Sequence, residues 1–274
     1  MIPVLAVAWL GLAVAAPSDR LVDAAGVTLH IRCDGERAAG APTVVLEAGA
    51  GNNANTWRDV FAPIAQFARV CAYDRQGLGT SERTAAPQSG VEAVATLHAL
   101  LQTAGERPPF VMAGHSYGGM LVRLYASRYP SEVAGLVLVD SSHEEQSKRF
   151  AALPAPPPGV VPQPVIPERI DFAGTSAELA KAPWRANIPL VVLSRGLWFK
   201  TPPATPDPQA DARLAIWQEL HRELATRSPQ AQLVVAAHSG HYIHNDEPSL
   251  VIGAVRQVVA KATKTSVTGV RRRA

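Results

Sequence analysis

Apolar residues fall along the chain in two alternating rhythms: short β-branched runs, and longer stretches in which apolar positions recur at helical spacing. Val27–Cys33 (VTLHIRC) alternates apolar and polar residues after the turn at Gly26, which predicts one arm of a hairpin. Thr43–Gly49 (TVVLEAG) is apolar almost throughout, the pattern of a strand covered on both faces. Trp57–Ala68 has helical spacing with a proline inside, and Arg69–Asp74 predicts the next strand. Gly90–Gly105 predicts an amphipathic helix stopped by its final glycine. The strand PFVMAG, the helix GGMLVRLYASRY and the strand Ala134–Asp140 follow. After an interruption, the strand Ile188–Ser194, the helix Arg213–Arg227, the strand Ala231–Ala237 and the helix Ser249–Ala262 close the series. This alternation predicts a single α/β domain over residues 17–274 with a mainly parallel sheet flanked by helices.

The interruption runs from Ser141 to about Ala186 and holds seven prolines between Pro154 and Pro167. Proline at that density excludes sheet interiors and long helices. The segment, about 141–187, is read as a lid inserted over the strand ends, since long irregular stretches inside compact domains are usually functional. The alternative is a linker with no part in binding.

Composition adds limits. Of 274 residues, 47% are hydrophobic and 18% charged, enough apolar material for a sizeable core. The net charge of +3 owes much to the tail GVRRRA, and no basic stripe is interleaved with aromatics, so nucleic acid is not an expected partner. Ile2–Ala16 is apolar but short for a bilayer span, and Ala13-Val14-Ala15 suits a signal-peptidase site. Residues 1–16 are therefore expected to be a signal peptide, although a basic leading region is missing, and the protein is expected to be exported to a periplasm or secreted. Two cysteines, Cys33 and Cys71, make neither a disulfide framework nor a zinc site.

The candidate chemistry starts at Gly114-His115-Ser116-Tyr117-Gly118, a G-x-S-x-G between a predicted strand and a predicted helix. That context marks a nucleophile elbow: the chain reverses within one residue, Gly114 and Gly118 leave room, and Gly119 lets the helix approach the sheet. A serine at its ordinary pKa needs a base. Past the last predicted strand, SGHYIHNDEP offers His241, with His238 and His244 nearby. His241 follows a glycine in the loop and is the expected base; His238 lies at the strand end, and His244 is assigned to shaping the loop or pocket wall.

Together LEAGAGNNANTW, CAYDRQGLGTSE, AGHSYGG, AGLVLVD and SGHYIHNDEP resemble the α/β-hydrolase-fold serine hydrolases, esterases and lipases among them, in family order from Leu21 onward. The resemblance implies that fold, with His241 as base. It implies an oxyanion hole from the Tyr117 N–H and an N–H in the turn after the third strand. Many members carry His-Gly-x in that turn; this chain has Ala48-Gly49-Ala50, so the second N–H falls to Ala50. Asp74-Arg75 resembles positions that are mainly structural.

Most members place the acid after the strand that here reads PLVVLS, but the following SRGLWFK has no carboxylate. Asp207 and Asp211 lie beyond a Pro-rich loop. A minority, haloalkane dehalogenases and some lipases among them, place the acid at the end of the preceding strand, which here is Asp140. Its alternative is a hydrogen-bonding cap on the next turn, and Glu144 and Glu145 are weaker candidates. The family's strand order sets the second strand beside the fourth, which implies a Cys33–Cys71 disulfide; two reduced buried thiols are the alternative.

The expected function is an acyl-bond serine hydrolase, foremost an esterase on a small-molecule substrate, with Ser116, Asp140 and His241 as triad and no cofactor or metal required. Lactone, amide or carbon–carbon bond cleavage on the same triad stays open, as does a non-catalytic pocket protein. Serine at the elbow argues against dehalogenase and epoxide hydrolase chemistry, which need a carboxylate nucleophile. Trp184, Trp198, Phe199 and Trp217 suit an apolar pocket wall, and core packing accounts for tryptophans equally well.

Overall fold

The computed structural model describes residues 18–84, 86–154, 168–182, 187–202 and 206–271, with side chains of the last helix described through Lys264. The signal-like segment 1–16, the prolines from Pro156 to Pro167, Trp184, Arg272 and Arg273 lie outside the described residues.

Eight strands form one sheet: β1 (Ser18–Ala24), β2 (Val27–Asp34), β3 (Thr43–Glu47), β4 (Val70–Tyr73), β5 (Phe110–His115), β6 (Val133–Val139), β7 (Leu190–Arg195) and β8 (Ala231–Ala236). Their spatial order is β1-β2-β4-β3-β5-β6-β7-β8, with β2 antiparallel to both neighbours and every later pair parallel. Ala25 and Gly26 turn the β1–β2 hairpin at φ 58° and 83°, the double left-handed geometry that matches strand twist.

The uninterrupted apolar runs follow from two-sided burial. Val45, Met112, Leu136, Leu138 and Val192 face a core shared with α2 (Gly90–Thr103) and α3 (Tyr117–Arg128). The alternate residues Val44, Leu46, Val111, Ala113, Val137 and Val139 face α1 (Arg58–Ala65) and the long last helix. Each such Val, Leu or Met side chain taken from water contributes roughly 1.5–3 kcal/mol.

On the outer strands, register brings Cys33 opposite Cys71, and the two are joined by a disulfide. Between β6 and β7 the described residues form two short helices, α4 (Gln146–Ala151) and α5 (Phe172–Lys181). The next helix, α6 (Ala210–Thr226), starts ahead of the expected Arg213; Asp207 holds its first turn through Gln209 N and Arg213 Nε. α7 (Ile243–Asp246) is a single turn, and α8 (Pro248–Arg271) continues well past the expected end at Ala262. No helix among the described residues is long and apolar enough to cross a membrane.

Candidate active site

The elbow is a backbone fact. Ser116, the only residue between β5 and α3, adopts φ 52° and ψ −122°, left-handed φ that a side-chain-bearing residue rarely holds. Three hydrogen bonds fix it: its N–H donates to Val139 O at 3.2 Å, and its carbonyl accepts from Gly119 N and Ser142 N, each at 2.9 Å. A Cβ on Gly118 would collide with the carbonyls of Glu47 and Ala48, so the start of α3 lies directly against the turn after β3. In that turn Gly49 sits against the His115 ring, where a Cβ would come within 2.7 Å of Nδ1. The N–H groups of Ala50 and Tyr117 have no protein acceptor among the described residues. With the positive end of the α3 dipole behind Tyr117, this corner suits a negative charge.

Asp140 follows β6 and is also left-handed, at φ 46°, with a fully buried side chain. Pairing of Val139 with Leu193 sets it beside the end of β7. Its Oδ1 accepts from Arg195 N at 2.9 Å and Trp217 Nε1 at 2.7 Å. Its Oδ2 accepts from Arg195 Nε at 2.6 Å and lies 2.7 Å from His241 Nδ1. Burial alone would raise this carboxyl's pKa, but the Arg195 charge and the hydrogen bonds outweigh it and hold the group ionised, far below the usual carboxylate range.

His241 sits in the loop between β8 and α7. Gly240 N donates to Asp246 Oδ2 at 2.9 Å, Ser239 Oγ donates to Glu247 Oε2 at 2.6 Å, and His115 Nε2 donates to the His241 carbonyl at 2.9 Å. A carbonyl only accepts, so the His115 proton is on Nε2. Burial and the neighbouring His241 and His244 keep the His115 ring neutral, well below the ordinary histidine value. Burial, then the Arg195 cation, also lower the His241 pKa, with Asp140 opposing them.

The other candidates are engaged elsewhere. His244 is buried against Trp57, bonded to Thr56 Oγ1 at 3.1 Å, and burial lowers its pKa to about 3. His238 is exposed, and its N–H donates to Glu247 Oε2. Glu144 pairs with Arg123 at 2.7 Å and Arg227 at 2.6 Å, while Glu145 precedes α4 as its N-cap. Trp217 turns its indole N–H to Asp140, Trp198 and Phe150 pack beside it, and Phe199 touches Trp198.

Three sets of contacts were not legible in the sequence, although Arg75 was read there as structural. Arg195, at the end of β7 in the segment SRGLWFK, is a contact of Asp140 that the residue types there do not announce. Trp217 donates to that acid from α6. On the other side, Arg75 is buried among Glu47, Glu168 and the carbonyls of Ala48 and Gly49, and Glu168 Oε2 also accepts from Gly51 N at 2.8 Å. Glu168 thereby holds the turn after β3. A second tie comes from α5, where Thr175 Oγ1, donating to Asp171 O, accepts from the Tyr117 hydroxyl at 3.1 Å.

Residues 42–204 match the family described as the alpha/beta hydrolase fold. The chain belongs to this family. YqjL, an uncharacterised protein of Bacillus subtilis, is 30% identical over 219 residues, 79% of this chain and 83% of YqjL. An AB hydrolase superfamily protein of Gibberella zeae is 32% identical over 108 residues, 38% of this chain and 34% of that one. Among solved structures, a thermophilic esterase from Thermogutta terrifontis superposes with a TM-score of 0.62 at 20% identity, covering 91% of this chain and all of the esterase (100%). Est816, described as an N-acyl homoserine lactone degrading enzyme, gives 0.60 at 19% identity, covering 87% and 99%. At these identities the superpositions establish the fold of this alpha/beta hydrolase and no more.

Proposed function

We propose that the protein is a serine hydrolase that cleaves an ester or related acyl bond through an acyl-enzyme. The observation that carries this reading is the Asp140–His241 hydrogen bond at 2.7 Å beside a strained serine elbow. In this reading His241 Nε2 takes the Ser116 hydroxyl proton as Oγ attacks the carbonyl carbon. The oxyanion is held by the N–H groups of Ala50 and Tyr117. His241 then returns the proton to the leaving oxygen as its bond to carbon breaks. Water, deprotonated by His241, attacks the acyl-enzyme, and His241 returns that proton to Ser116 Oγ as its bond to the acyl carbon breaks, releasing the acid and free Ser116. Asp140 keeps the proton of a neutral His241 on Nδ1, leaving Nε2 bare, and stabilises the imidazolium.

A panel of acyl esters of graded chain length, run against wild type and Ser116→Ala, tests this. Hydrolysis of at least one chain-length class is expected, abolished by the substitution; turnover retained in Ser116→Ala would reject the assignment. Export is part of the same reading, supported by the Cys33–Cys71 disulfide, which suits an oxidising compartment. Fractionation of the host cell tests it, and recovery solely from the cytoplasm would reject it.

A further inference from the structure

The second cation of the site is not explained by holding the fold together. Arg195 donates twice to Asp140, through its backbone N–H at 2.9 Å and through Nε at 2.6 Å. Its Nη2 lies 2.6 Å from His241 Nδ1, the same nitrogen that lies 2.7 Å from Asp140 Oδ2. The rings of Trp198 and Trp217 flank the guanidinium at 4.8 and 4.7 Å and fix it in place.

One ring nitrogen cannot serve both partners at once. As a donor, Nδ1–H serves Asp140 and meets the guanidinium hydrogens head-on; as an acceptor, it serves Arg195 and leaves the proton on Nε2. The imidazolium has only the first option, so it must form against a fixed positive charge. We propose that Arg195 is a positioning residue that controls the proton on His241: its charge opposes the imidazolium, so that the Nδ1–H ring held by Asp140 stays neutral, with Nε2 free to act as the base, in more acidic solution than an Asp–His pair alone would allow. This rests on the reading of His241 as the base.

The other groups around the ring do not supply this effect. His115 from β5 lies with its ring 4.5 Å from that of His241 and is held neutral by burial. His244 from α7, on the far side of His115, is likewise held neutral. From α6, Trp217 carries no charge, and His221, 3.9 Å from Asp140, is lowered to about 4 by burial. Tyr242 presents a half-exposed ring beside His241. Among the described residues, Asp140 and Arg195 are the charged groups in hydrogen-bonding contact with the imidazole.

The test is an NMR titration of the His241 imidazole, assigned by its loss in His241→Gln, together with the acid limb of kcat/KM on the best ester from the panel. In wild type His241 should titrate below the ordinary histidine value of 6.5. In Arg195→Met, which keeps side-chain length and removes the charge, the titration and the acid limb should both move up by about one pH unit or more. Arg195→Lys should restore values near wild type. An unmoved or lowered titration in a folded Arg195→Met protein overturns the proposal, and Arg195→Gln reads the same shift if the Met variant does not fold. A titration that moves while the acid limb stays still supports the action of Arg195 on the imidazole and removes His241 as the base.

Discussion

Two buried arginines flank the candidate active site, and their surroundings give them different work. Arg75 meets two carboxylates, Glu47 at 2.6 Å and Glu168 at 2.6 and 2.8 Å, and two carbonyls, Ala48 at 2.6 Å and Gly49 at 2.7 Å. All of these are acceptors, and none exchanges a proton in an acyl transfer. Burial disfavours the charge on Arg75, yet the two carboxylates more than compensate and push its pKa well above the ordinary value. Arg195 meets one carboxylate, and its other polar side-chain contact is the His241 imidazole, which in the proposed reaction gains and loses a proton. A guanidinium with surplus acceptors is a strut; one that shares its single carboxylate with a titrating ring acts on the titration.

Predictions that break or sharpen this contrast begin at the shared carboxylate. Asp140→Asn removes the anion that orients His241 and compensates Arg195. A turnover loss of about four orders of magnitude is expected, as when a triad acid is replaced by its amide in serine proteases, and most of it should fall in kcat. The same change leaves Arg195 buried without its counter-ion, a loss of roughly 3–5 kcal/mol in stability, to be read by denaturant unfolding. Turnover near wild type would return Asp140 to the role of a turn cap.

On the strut side, Glu168→Gln keeps the shape of the side chain but weakens its hold on Arg75 and Gly51. Displacement of the turn carrying Ala50 should lower kcat about tenfold to a hundredfold. The acid limb of the pH profile should not move, because no charge in contact with His241 has changed. A shifted limb in Glu168→Gln would erase the distinction between the two arginines. A kcat equal to wild type would show that Glu168 does not hold the turn.

How much of this could be read from the chain follows from how local each feature is. The elbow was legible because its cause lies within Gly114–Gly119, where a strand must become a helix around one serine. His241 was legible because a glycine and a short loop separate it from β8. Asp140 was harder: its identity as partner of His241 depends on strands adjacent in space, and only an empty position after β7 pointed to it. Arg195 and Trp217 lie 55 and 77 residues from Asp140 in sequence, and only the β6–β7 register and the packing of α6 bring them to its carboxylate. Glu168 lies 93 residues from Arg75, in a stretch whose prolines do not say what it grips. Helix ends were missed for a related reason. The start of α6 is set by Asp207, and the C-terminal part of α8 extends past the last strong apolar repeat.

The central claim, that Ser116 is a nucleophile activated by His241, is tested most directly by covalent labelling. The folded protein is treated with a fluorophosphonate, and the adduct is mapped by mass spectrometry of its peptides. A single adduct on Ser116 is expected in wild type, absent in Ser116→Ala and formed far more slowly in His241→Ala, with all three proteins showing the same circular dichroism. An adduct on any other residue, or labelling of Ser116 at an undiminished rate without His241, would contradict the account.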